Sequence, residues 1–367
     1  MKRVLFVRHL ALGDILLSFP ILREYKIRHP EIKIDYYTLL PKIAELSPDI
    51  ERAIDLRKIK FRDIEKKYDE IFFLSYEYHT KLHYTDGYSI STGIETENKM
   101  INIRIPPEYI EKANKVLVKR ITGKKLIGIQ EISRSRFRNY SIQKLQLVID
   151  RIKEEHPAIE FITLSDKKND LKNCINQSGA LSLETAIGMI GICNYFLSID
   201  SGFLHIAQAL GLPCTAIFGS TLPELVLTSP ENSHQVRNES LDCLGCFHER
   251  TPGAESLEEC KRGDIACMNE CSEENIIDAI DRMLLGQCDT NLREKFINYE
   301  SRKKDYLKTI SLSDERAKIE KVCRQRIIRM SVEFSHPIKM FLSKIFQIVK
   351  KREWERFTGL VFRKFQK

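Results

Sequence analysis

A chain of 367 residues is longer than one hydrophobic core usually supports, so about two domains are expected. Its 43% hydrophobic content supplies packed cores and excludes a disordered chain, and no run of eighteen apolar residues offers a membrane-spanning helix. The net charge of +8 hides an asymmetry: residues 286–367 carry 21 Lys and Arg against 10 Asp and Glu, so the whole positive excess lies in the tail.

The first predicted element is a strand at Val4–Val7. Only Met1-Lys2-Arg3 precede it, too little for a secretory signal, and a cytoplasmic protein is expected. Gly13-Asp14 then opens an apolar helix, Ile15 to Leu22, at the carboxyl edge where doubly wound sheets bind ligands. Asp14 there can cap the helix or take a proton from a hydroxyl group. Apolar runs at Ile32–Tyr37, Ile71–Leu74 and Met100–Ile105 continue the first series of strands. Tyr76, Tyr78, His79 and Tyr84 form a polar-aromatic cluster suited to sugars, and Lys42 and Lys81 are candidate contacts for acidic groups. Arg120 to Lys125 has linker character and places a boundary near Val118–Lys125. A second series follows at Leu126–Ile129, Glu160–Leu164, Tyr195–Ile199 and Thr215–Phe218. Two α/β halves that each open with a strand predict two Rossmann-like domains.

The densest signal runs from Asn194 to Glu224. Tyr195–Ile199 ends at Asp200-Ser201-Gly202, a helix follows over Phe203–Leu210, and a second strand starts after Gly211-Leu212-Pro213. In this βαβ unit Gly202 lets backbone approach a ligand, and the free amides at the helix start favour an anion. His205, one turn past Ser201, can reach a phosphate oxygen or rest as a partly buried histidine; Asp200 can cap the helix without touching a ligand.

Five of the ten cysteines follow: Cys243, Cys246, Cys260, Cys267 and Cys271. The CxxC pair suits a structural zinc or iron ion, with plain reduced thiols as the alternative in a cytosolic chain. Cys174, Cys193 and Cys214 sit in apolar contexts and read as packing residues. Pro337–Lys367 spaces Ile338, Phe341, Leu342, Ile345 and Val349 helically among lysines and arginines. Such a basic amphipathic helix suits an anionic membrane surface or packs on the protein; no motif points to nucleic acid.

ALGDILLSFPIL (residues 11–22), the block from Ser182 to Glu224 and the cysteine segment together resemble glycosyltransferase family 9, the heptosyltransferases of the lipopolysaccharide inner core. The resemblance covers about residues 1–285, is strongest over 179–224 and is weakest over 35–120. It implies a GT-B architecture, two Rossmann-like domains facing a cleft. Residues 1–120 would serve the acceptor and 121–285 the nucleotide-sugar, with 286–367 a basic helical tail.

By that resemblance Asp14 is the general base of an inverting direct displacement, the helix start at Ser201-Gly202 with His205 stabilises the donor diphosphate, and Asp200 is a donor-binding residue beside them. The family's donor-binding lysine falls at Arg138, a departure, with Ser133 and Arg134 at its hydroxyl positions. Arginine clamps a diphosphate equally well, and Arg134 or Arg136 can hold the same role. Leu181 would lie against the base, unless it is a core leucine beside a capping Ser182; Asp166 or Asp170 would reach the donor sugar or ribose.

The implied donor is ADP-heptose, and the implied acceptor is a lipid-linked oligosaccharide at the inner face of the cytoplasmic membrane. No cofactor is needed for catalysis, and the family's protein-heptosylating branch uses a cysteine cluster for iron. Two alternatives remain. One is a protein- or capsule-directed transferase of the same fold; the other is an inactive membrane-associated scaffold, against which Asp14, Asp200, Gly202 and His205 speak.

Overall fold

The computed structural model describes residues 2–117, 123–254 and 259–334. The first half holds a parallel sheet of β1 (Arg3–Val7), β2 (Lys33–Thr38), β3 (Arg52–Asp55) and β4 (Glu70–Phe73), in the order β3-β2-β1-β4. The second holds β5 (Lys125–Gln130), β6 (Ile159–Thr163), β7 (Tyr195–Ile199), β8 (Cys214–Ile217) and β9 (Ser233–Val236), ordered β6-β5-β7-β8-β9 and again all parallel. Helices cover both faces, so central strands such as RVLFV and YFLSI read as unbroken apolar runs. This is the GT-B arrangement of two parallel-sheet α/β domains, with a helical C-terminal region.

The strand orders decide where ligands can bind. The first sheet reverses direction between β1 and β4, the second between β5 and β7. Crevices open at the carboxyl ends of strands where the order reverses. Each crevice receives a helix start: α1 (Leu12–Arg28) beyond β1, and the short helix after β7.

The other main helices are α2 (Tyr84–Thr92), α3 (Pro107–Leu117), α4 (Ile142–Glu155), α5 (Leu183–Ile190), α6 (Gly202–Ala209), α7 (Glu273–Leu284), α8 (Thr290–Leu307) and α9 (Leu312–Phe334). Local signals explain several. Ser141 caps α4 by accepting from the Lys144 amide at 3.3 Å, and Leu145, Val148, Ile149 and Ile152 form its buried stripe. Ser272 caps α7 in the same way, at 3.2 Å from the Asn275 amide.

One expectation is corrected. Met100–Ile105 is no strand: it crosses between the halves with Ile101 buried and Arg104 N–H bonded to Leu46 C=O at 2.8 Å, so its alternating isoleucines pack without a strand neighbour. The edge strands β3 (RAID) and β9 (SHQV) escaped the reading because short edges keep polar residues. Val118–Thr122 of the expected boundary, and 335–367 of the basic tail, lie outside the described residues.

The helices after residue 286 return to the first half. Tyr299 O–H donates to Asp86 at 2.5 Å and accepts from the His83 amide at 2.8 Å. Arg324 pairs with Glu65 at 2.7 Å, and Ile327 joins the core of Leu5, Val7 and Phe73. Among the described residues no helix is long and apolar enough to cross a membrane.

Candidate active site

At the first switch point, Arg8 leaves β1 with only 4% of its surface exposed. Its Nη2 lies 2.5 Å from Asp14 Oδ2 and 2.7 Å from Glu77 Oε1, and Nη1 donates to Leu74 C=O at 3.3 Å. Asp14 stands in the first turn of α1, and its Oδ2 also accepts the Ala11 amide at 3.0 Å. Capping the helix therefore leaves this carboxylate partly open, with 19% of its side chain exposed. Glu77 is buried; burial alone would raise its pKa, but the Arg8 guanidinium and the Ser75 hydroxyl outweigh it and hold it at about 2.

At the second switch point, Ser201 caps α6 and Asp200 is 3% exposed. Arg138, on the loop after β5, donates Nη1 to Asp200 Oδ2 at 2.9 Å and to its carbonyl at 3.3 Å. Burial works against the Asp200 carboxylate, but Arg138 and His205 still lower its pKa. His205 is buried and kept below its usual value by that burial, against the pull of Asp200 and Asp14; its Nδ1 has no hydrogen-bond partner.

The two helix starts meet. A Cβ on Gly202 would stand 2.5 Å from Leu12 Cδ2 and 3.1 Å from the Gly13 nitrogen; one on Gly13 would stand 2.9 Å from His205 Cδ2. Only glycine lets the halves approach so closely. Two helix N-termini, with their free amides and positive dipole ends, thus converge beside Asp14 and Asp200.

The remaining predicted residues divide. Arg134 and Arg136 are exposed, Arg136 lying on Phe137 at 4.9 Å, so of the three arginines it is Arg138 that turns inward. Ser133 is tied up in its own loop: its hydroxyl donates to Ser135 C=O at 3.0 Å and its amide to Asn139 at 2.7 Å. Leu181 packs half-buried on the core beside Ser182, which caps α5. Asp166 and Asp170 are both exposed.

Glu131, which sequence reading missed, is buried beside them at the end of β5. It accepts from Asn169 at 2.5 Å and its pKa is raised by burial. Tyr76 and Tyr84 stack at 3.6 Å, whereas His79 turns to Tyr306 at 3.0 Å, Lys42 pairs with Glu184 and Lys81 is exposed. Arg8, Glu77 and Arg250 were missed as well. Arg8 follows the first strand directly, a signal that was there to use; the other two gave none.

Cys243, Cys246, Cys260 and Cys267 lie close enough to influence one another electrostatically, and Cys271 neighbours Cys267. Amides of Arg262, Gly263 and Ile265 point at the Cys260 sulfur and lower its pKa against burial, a setting that favours a thiolate ligand. Among the described residues, the ligand atoms gathered within 4.8 Å are those of Glu155, His156 and Asp281, so the sulfurs stand wider than a closed shell. Cys193 and Cys214 are buried packing thiols, and Cys174 is half-buried.

Residues 94–255 match the model of glycosyltransferase family 9 (heptosyltransferase). Lipopolysaccharide heptosyltransferase 2 of Salmonella typhimurium is 30% identical over 92 residues, 25% of this chain and 26% of the relative, so that match spans about a quarter of the relative's length. Lipopolysaccharide heptosyltransferase 3 of Escherichia coli is 22% identical over 278 residues, 57% of this chain and 81% of the relative. The solved E. coli ADP-heptose lipopolysaccharide heptosyltransferase II superposes with a TM-score of 0.57 at 15% identity, covering 78% of this chain and 99% of that one. The iron-containing dodecameric glycosyltransferase TibC of enterotoxigenic E. coli superposes with a TM-score of 0.59 at 13% identity, covering 77% of this chain and 76% of that one.

Proposed function

We propose, from the glycosyltransferase family 9 domain that this chain carries, that it moves a heptose or related sugar from a nucleotide diphosphate donor to an acceptor of the lipopolysaccharide-core type. The observation that carries the reading is the meeting of the two helix starts at Gly13 and Gly202, with Asp14 on one side and the Arg138–Asp200 pair on the other. ADP-heptose is the favoured donor because it stands in the name of the E. coli structural relative.

The acceptor hydroxyl enters from the side of residues 1–120, and Asp14 accepts its proton. The freed oxygen attacks the anomeric carbon opposite the diphosphate, so configuration inverts. The bond from that carbon to the phosphate oxygen breaks, and its electron pair leaves with the nucleotide diphosphate. Amides at Ser201-Gly202, the Arg138 guanidinium and His205 stabilise that charge as it develops. Asp200 holds Arg138 in place.

No cofactor takes part in these steps. Cys243, Cys246, Cys260 and Cys267, with Cys271 beside them, are the thiols that would have to draw together from their present spacing to hold a structural zinc or iron ion on the segment following β9. The basic tail would dock the enzyme on the inner face of the cytoplasmic membrane, beside a lipid-linked acceptor.

Incubating purified protein with ADP-heptose, other nucleotide sugars and heptose-deficient core acceptor, then reading products by mass spectrometry and anomeric NMR, tests this directly. A heptose-sized gain with inverted configuration is expected. Hydrolysis alone, or a product of retained configuration, overturns it.

A further inference from the structure

The segment after β9 does more than carry cysteines. Gly245 and Phe247 donate their amides to Gly219 and Ser220 carbonyls at 3.0 and 2.8 Å, which seats the segment on the second half. His248 Nε2 accepts the Leu222 amide at 3.0 Å while its Nδ1 bonds Thr80 C=O at 3.0 Å, and the Gly253 amide reaches Glu77 C=O at 2.8 Å. It therefore straddles the seam between the halves, and Arg250 lies in its middle.

Arg250 is 8% exposed. Its Nε donates to Ala254 C=O at 2.7 Å and its Nη1 to Phe247 C=O at 2.6 Å, but Nη2 is buried with no partner. The guanidinium lies 3.9 Å from the Phe247 ring centroid and 5.6 Å from that of Tyr76. Phe247 also carries Arg138 at 5.9 Å and Tyr76 carries Arg8 at 5.2 Å, so Arg250 sits between the guanidinia of the two switch points. Tyr84 feels Arg250, Asp200, Asp14 and Arg138 together.

The difference among these arginines is their partners. Arg8 has Asp14 and Glu77, and Arg138 has Asp200; among the described residues Arg250 has no carboxylate. Two carbonyls and two ring faces leave the charge without a counter-ion and Nη2 without an acceptor, which is costly unless an anion joins it, and the flat fork suits a phosphate or carboxylate oxygen.

We propose that Arg250 binds an oxyanion of a substrate at the seam, through Nη2, as a second cationic contact beside Arg138. This deepens the nucleotide-sugar reading and rests on it. The oxyanion comes from the donor diphosphate or from an anionic group on the acceptor.

Calorimetric titration of the full chain with ADP, and KM values for donor and for acceptor, are compared in wild type, Arg250→Gln and Arg250→Lys. An ADP affinity at least about tenfold weaker in Arg250→Gln, partly restored in Arg250→Lys, assigns the donor diphosphate. Unchanged ADP binding with a raised acceptor KM, insensitive once the acceptor is dephosphorylated, assigns the acceptor. Wild-type ADP binding that Arg250→Gln leaves intact along with acceptor KM overturns the assignment alone. So does an equal loss in both variants that tracks a falling Tm, the mark of a strut. Wild type that binds no ADP sinks the nucleotide reading and Arg250 with it.

Discussion

At the edge of the first sheet one guanidinium, Arg8, is shared between Asp14 and Glu77; at the edge of the second, Arg138 serves Asp200 alone. The carboxylates differ in step. Asp14 keeps 19% of its side chain exposed, whereas Asp200 keeps 4%. A partly open carboxylate whose counter-charge is divided can still exchange a proton with a substrate. A buried one held by its own arginine is better suited to fixing that arginine against a diphosphate. The contrast shows how two similar edges, each a helix start beside a strand end, come to differ in exposure and in how their charge is shared, which is the difference the proposed division into chemistry and binding requires.

Removing the chemistry should have the largest effect. Asp14→Asn is expected to lower kcat by about 10²- to 10⁴-fold while ADP affinity stays within about twofold; steady-state rates with a nucleotide titration check it, and intact turnover would falsify the role. Arg138→Ala should act in the opposite way, on nucleotide binding and on the fold, since it strands the Asp200 charge. The stability loss is about 2–3 kcal/mol, below the full cost of breaking a buried pair because Arg138 is partly exposed, and denaturant melting reads it. Adding Asp200→Asn should recover part of that loss, and strict additivity of the two changes would argue that the pair is not coupled.

Gly202→Ala tests the seam itself. Its Cβ would collide with Leu12 and crowd Gly13, so stability should fall by about 1–3 kcal/mol, seen as a lower Tm. An unchanged Tm would mean that the halves do not hold this closed contact in solution.

The last test reads the pH dependence of stability at Glu77. Its folded pKa, about 2, lies below the unfolded carboxyl value near 4.5. Its contribution is therefore complete above that unfolded value and is lost as pH falls toward 2. Glu77→Gln should flatten acid unfolding across that window, and an identical acid profile in the variant would remove Arg8 as its partner.

Much of this molecule is legible in its amino-acid sequence. Val4–Val7, Tyr195–Ile199 and the turn at Asp200-Ser201-Gly202 announce themselves because apolar runs, glycines and caps act over a few residues. The stretch Ser133–Arg138 was legible only as a group: three arginines on one loop are equivalent until something distant selects among them. Asp166 and Asp170 are both exposed, whereas Glu131 is buried close by, a difference no local pattern announces.

The sequence by itself determined the two α/β series, the strand–turn–helix units and the carboxylates at their edges, since each of these is a short-range property of the chain. Tertiary structure alone decided that Arg138 turns to Asp200 across 62 residues, that Glu77 meets Arg8 across a sheet reversal, and that the cysteine segment carries Arg250 to the seam. Those contacts depend on the order in which strands pair, and that order is settled by burial of the whole core rather than by any local pattern.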